Sequence, residues 1–125
     1  MTTEQLASPY RPNGWTARQV IHHIPDSHLN CYIRFKWALT EERPLIKAYN
    51  ETAWADLNKH EPIETSFMML EAVHKKLVQL FHYMDLTQFN RTFIHPELGK
   101  ELSLAWHLGQ YAWHGEHHLG HLQLV

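Results

Sequence analysis

From Ile63 to Met84 the apolar residues Phe67, Leu70, Val73, Leu77, Leu80, Phe81 and Met84 recur at i, i+3, i+4 spacing. That is the period of a helix with one apolar face, and such a face has to be buried against other helices. A second long helix is predicted upstream. Thr16 followed three residues later by Gln19 is a capping-box pattern, and Val20, Ile24, Cys31, Phe35 and Ala38 keep a rough 3.6 period. It spans about Thr16 to Leu39, with Pro25 inside it predicting a kink or break near Ile21–Ile24, where a backbone donor is lost. Pro44 and Pro62 bracket a polar stretch with a short helix around Glu51–Leu57. RTFIHPELGKELSL reads as a small hairpin or ordered loop around Pro96 and Gly99, and Ser103 can cap a last long helix. The opening SPYRPNG is turn chemistry. The chain is therefore expected to be all-α, an up-down helical bundle with three long helices.

At 125 residues the chain is expected to be a single domain, 1–125. A formal charge of -2 gives no cationic field to hold a phosphate backbone, so nucleic acid is excluded as the main partner. The one cysteine, Cys31, excludes an internal disulfide. No apolar run approaches the ~20 residues that span a bilayer. The start MTTEQLASPYRPNGW has no apolar core of a secretory signal, so a cytoplasmic location is expected, with no membrane partner. Both ends look abrupt, and three long helices bury their apolar faces poorly without a fourth. The expectation is a fourth helix that is missing or supplied by a partner chain, with a homodimer as the natural assembly.

Histidine is the outlier of the composition. There are 12, and four of them (His114, His117, His118 and His121) fall in the last twelve residues. Neutral imidazole is a common ligand for transition metals. At roughly 100° per residue from Leu104, the residues Leu108, Gly115, Leu119 and Leu122 form a core stripe between roughly 0° and 60°. His107, His114, His118 and His121 form a second stripe between roughly 260° and 320°, on the border of the core. His117 and Trp113 point away from both. His114 and His118, one turn apart, can share one ion. The residue after His114 is Gly115, so neither HExxH nor HxxEH is present and the helix carries no built-in general base. Gly109, Gly115 and Gly120 suggest close packing of something against this helix.

A metal site needs a third ligand from elsewhere in the fold. HHIPDSH offers His22, His23 and His28. Helical phase makes His22 the more exposed and leaves His23 and His28 both open as the ligand. Asp26 and Asn30 could accept from a ligand imidazole, although a plain capping role suits Asn30 better.

GWTARQVIHHIPDSHLNCYIRFKWALTEERPLIKAYNETAWADL, followed downstream by YAWHGEHHLGHL, resembles the YfiT-like branch of the DinB superfamily. The resemblance runs from about Thr3 to the C-terminus. It implies a four-helix bundle of DinB type with one divalent metal ion, usually zinc or nickel, held by three histidines. Carried over by motif, these are His23 from the second helix of that bundle and the pair His114 and His118 from the last. It also implies that the family's first helix, upstream of PYRPNGW, is absent here, and it places Pro25 where alanine is usual. The activities it implies are metal-dependent hydrolysis, or transfer of a low-molecular-weight thiol such as bacillithiol to a small electrophilic substrate. In either case a nucleophile, water or thiol, takes an open position on the ion, and Asp26 orients a ligand or shuttles a proton. The alternative is a non-catalytic, metal-binding dimerisation module, in which a fourth protein ligand such as His121 or His107 closes the site.

The remaining candidates read as structural. Cys31 reads as a small buried hydrophobe. The five tryptophans read as core or interface residues, with Trp113 suited to a dimer contact. Met68 and Met69 read as core filler, and Arg34 and Lys36 as solvated cations.

Overall fold

Thr16 starts the longest element as its spacing predicts. In the computed structural model, which describes residues 1–124, the chain runs α1 (Thr3–Ala7), α2 (Ala17–Thr40), α3 (Glu51–Leu57), α4 (Glu64–Tyr83), α5 (Leu86–Phe89), β1 (Thr92–His95), β2 (Lys100–Ser103) and α6 (Leu104–Gln123). At the head of α2 the Gln19 N–H donates to Thr16 Oγ1 at 3.2 Å, and the Thr16 N–H donates to Gln19 Oε1 at 2.9 Å. Thr16→Ala removes the cap and is expected to cost about 1 kcal/mol. Urea unfolding checks this, and an unchanged midpoint would contradict it.

The break expected at Pro25 does not occur. α2 continues unbroken from Ala17 to Thr40, with the Pro25 ring buried in the interior. Proline costs a helix interior ~3 kcal/mol. Here α2 is the hub against which α4 and α6 both pack, and that burial outweighs the local penalty. The core forms along α2 from Cys31, Phe35 and Ala38, with Val73 and Leu77 from α4, Met84 after it, Phe93 from β1 and Leu104 from α6.

The segment 92–103 is the hairpin, antiparallel with Thr92 opposite Ser103 and His95 opposite Lys100. Gly99, at φ 60°, supplies the left-handed residue of its turn. Ser103 Oγ accepts from the Trp106 N–H at 3.1 Å, so β2 passes directly into α6. The hairpin is anchored in turn by the Ile46 N–H donating to the Ile94 carbonyl and the Ile94 N–H donating to that of Pro44. These bonds fix where α6 begins and which side it turns inward.

That side differs from the expectation. Buried on α6 are Leu104, His107 and His118, while Leu108 and Leu122 are half-buried and Leu119 is exposed. The histidine stripe, expected at the border, is the inward face. The leucine side of α6 instead borders a groove of about 370 Å³ between α4 and α6, walled by Leu77, Phe81, Leu108 and Ala112 over Cys31. Among the described residues nothing covers this groove. Earlier in α4, Phe67 is 51% exposed and Met68 is exposed, while Met69 is half-buried against the core. The tryptophans are not core residues: Trp37, Trp54, Trp106 and Trp113 are exposed and Trp15 is half-buried. Close packing over the α6 glycines is not found either, since a Cβ placed at Gly109, Gly115 or Gly120 meets nothing within 4 Å. None of the described helices is long and apolar enough to cross a membrane. Val125, the last residue of the abrupt C-terminal run, lies outside the described residues.

Candidate metal centre

Two turns into α2, His23 is buried and faces α6. Across from it stand His114 and His118, one helical turn apart. His23 Nε2 lies 3.3 Å from His114 Nε2, and His118 Nε2 lies 2.9 Å from the same atom. One ligand atom from each ring falls within 4.8 Å of the others, and among the described residues no fourth His, Cys, Asp or Glu joins the group. Burial, then the proximity of the other imidazoles, lowers the His23 pKa to about 4 and that of His118 to about 3. His114 is lowered by burial as well. All three rings are therefore neutral near pH 7, with lone pairs to give.

The donor set fits a divalent cation. Three neutral rings turned Nε2 to Nε2 cannot each find a proton donor, because every ring carries one N–H and one lone pair. His23 Nδ1 and His114 Nδ1 are buried without a partner, so the other edges of those rings give no compensation. Nitrogens roughly 2.1 Å from a common ion stand roughly 3.0–3.4 Å apart, close to the two separations found.

The N-terminal segment covers the cluster. Pro12 and Asn13 form a tight turn, with Asn13 at φ 60° and the Gly14 N–H donating to the Arg11 carbonyl at 2.9 Å. That turn brings Trp15 edge-on to His23, at 5.0 Å between ring centres, and stacks Tyr10 on His121 at 4.0 Å.

The other candidates lie elsewhere. Of the pair that helical phase left open, His28 pairs through Nδ1 with His74 Nε2 of α4 at 2.6 Å. His22, expected to be the more exposed, is buried and ties α2 to Ser66 Oγ of α4 (2.6 Å) and to the Glu61 carbonyl just before α4 (3.0 Å). His121 approaches the Nδ1 edge of His118, away from the convergence. His117 is exposed and stacks on Trp113. Asp26 is half-buried and makes no hydrogen bond to the three rings; its main-chain carbonyl accepts from Asn30 Nδ2 at 2.8 Å, which gives Asn30 a local role. Cys31 is buried and its thiol is pushed up to about 12, chiefly by burial, which suits a packing role.

Beside His114 opens a cavity of about 150 Å³, lined among others by Ser27, Arg34, Tyr49, His107 and Tyr111. Arg34, expected to be solvated, is only 8% exposed. Its signal in the sequence is its phase, three residues after Cys31 and four before Ala38, on the inward side of α2. Tyr111 shares the inward stripe of α6 with His107 and His114. Burial raises its phenol to about 12 and raises that of Tyr49 further, while the nearby Ser27 hydroxyl pulls both the other way.

Comparison with known proteins agrees with this layout. Residues 1–122 match the DinB superfamily. A Bacillus cereus protein named "Putative metal-dependent hydrolase" is 52% identical over 120 residues, which are 95% of this chain and 69% of that one. An Oceanobacillus iheyensis protein of the same description is 50% identical over 98% of this chain and 71% of its own. The solved structure of YfiT from Bacillus subtilis is described as "a probable metal-dependent hydrolase with an unusual four-helix bundle topology". It superposes with a TM-score of 0.96 at 44% identity, covering 98% of this chain and 71% of that one. The fold, its close solved counterpart and the match along nearly the whole chain lead to one conclusion: the chain belongs to the DinB superfamily.

Proposed function

We propose that this chain is a metal-dependent hydrolase of small molecules, with one zinc or nickel ion held by His23, His114 and His118. The observation that carries the reading is the convergence of three neutral imidazole nitrogens beside a polar cavity. A divalent ion there supplies Lewis acidity and lowers the pKa of water bound to it. The chain's own part is to hold and to shape. α2 and α6 fix the three rings, Trp15 packs edge-on against His23, and the cavity beside His114 admits the substrate. The donor set leaves room for an exogenous ligand, since no fourth protein donor joins it among the described residues. That favours catalysis over a closed structural site. A low-molecular-weight thiol fits the same open position as water, and it would have to come from outside because Cys31 is buried.

Hydrolysis of an activated ester such as p-nitrophenyl acetate provides the test. Chelation is expected to abolish the protein-dependent rate, and added zinc or nickel to restore it in the parent but not in His23→Ala. A rate indifferent to both chelation and His23→Ala would contradict the reading.

A further inference from the structure

We infer that the cavity beside His114 takes a carboxylate-bearing small molecule, with the Arg34 guanidinium as its anion-binding group. This rests on the reading of His23, His114 and His118 as the reaction centre, and it adds the class of substrate. The observation is a buried cation that no carboxylate touches. Arg34 sits on α2 in the interior, and among the described residues no carboxylate lies within 4 Å of its guanidinium. Of its five N–H donors, the only one bonded among the described residues is Nη2, to the Lys47 carbonyl at 3.2 Å. A charge taken out of water is costly unless it is paired. The other guanidinium nitrogens are not sealed against protein, and the residue lines the cavity that also reaches His114.

The rest of the lining says what kind of anion fits. Ser27, Tyr49 and Tyr111 offer hydroxyl groups, and Gln110 an amide. Glu51 is the one carboxylate among the described residues that line the cavity, and it feels Arg34 without touching it. With Glu51 in the same cavity, a singly charged guest on Arg34 is repelled less than a phosphate dianion would be. A carboxylate also matches the planar fork of the guanidinium in two parallel bonds. The volume, about 150 Å³, is roughly that of five waters, so it holds the carboxylate-bearing limb of a substrate. Trp113 lines the same cavity and provides a reporter. Arg34 also borders a second cavity, walled by Trp37 and Trp54, so the indole that responds identifies the side on which the anion binds.

The test is a titration of the ¹⁵N-labelled full chain, as purified and after metal removal, with acetate, its neutral isostere acetamide, and inorganic phosphate at constant ionic strength. Acetate is expected to shift the Arg34 Nε–H and the Trp113 indole N–H with or without metal. Acetamide should bind at least tenfold more weakly. Arg34→Gln should weaken acetate at least tenfold, and Arg34→Lys by less. If Arg34→Gln does not fold, Glu51→Gln serves instead, and is expected to tighten acetate two- to threefold at low salt. Equal binding of acetate and acetamide, acetate affinity unchanged in Arg34→Gln or Glu51→Gln, tighter binding of phosphate, or shifts at Trp37 and Trp54 in place of Trp113 would overturn the inference. Because the titration is repeated without metal, its result stands apart from whether the histidines hold an ion.

Discussion

Acidification from pH 7 to pH 4 is expected to remove about 3 kcal/mol of stability through His107 alone. His107 is buried against Phe35, Phe93 and Tyr111, and neither ring nitrogen has a hydrogen-bond partner. Burial first, then the positive charge of Arg34, lowers its pKa from 6.5 to about 3. Above 6.5 neither the folded nor the unfolded chain protonates this ring, and the stability is fully present. Between 6.5 and about 3 the unfolded chain takes up a proton that the folded chain refuses, and about 1.4 kcal/mol is lost per pH unit. Below that both states are protonated and the loss stops growing. His23, His28 and His118 are shifted in the same direction and steepen the fall. Urea unfolding at a series of pH values measures the slope. His107→Leu should reduce it by the equivalent of about one proton, and a slope unchanged by that variant would contradict the account.

Phe35→Ala is expected to cost about 3–5 kcal/mol. Phe35 is fully buried in the C-terminal half of α2, with its ring 5.1 Å from that of Phe81 and 5.8 Å from that of His107. Its removal opens a cavity where all three long helices meet, and the hub position of α2 limits how far the walls can collapse. A domain with ~5–15 kcal/mol of total stability would be left marginal. A loss below about 1 kcal/mol in equilibrium urea unfolding would show that this is not the centre of the core.

Much of the architecture was legible in local chemistry. The Thr16–Gln19 and Ser103 caps, the Glu51–Leu57 helix and the Pro12–Asn13 turn all rest on contacts between near neighbours, which spacing reports directly. What escaped depends on partners distant in sequence. Periodicity gives an apolar stripe but not what covers it, so it turned the leucine side of α6 inward when the histidine side is the one that faces α2 and the hairpin. Pro25 was judged by its effect on an isolated helix, whereas packing on both flanks of α2 decides the outcome. Residue type misled at Arg34 and at the tryptophans, because a guanidinium is more often solvated and an indole more often buried than they are here. For the candidate centre, spacing alone found the His114–His118 pair, and family resemblance separated His23 from His28. Asp26 was read from its nearness in sequence to His23, and among the described contacts its carboxylate makes no bond to the three rings.

The central claim is that His23, His114 and His118 hold an ion, and metal content tests it most directly. Plasma mass spectrometry of the purified, tag-free protein is expected to find about one zinc or nickel per chain, and almost none in a folded His114→Ala, His118→Ala double variant. A folded parent protein that retains no metal when dialysed against zinc or nickel, or a double variant that keeps its full complement, would contradict the account.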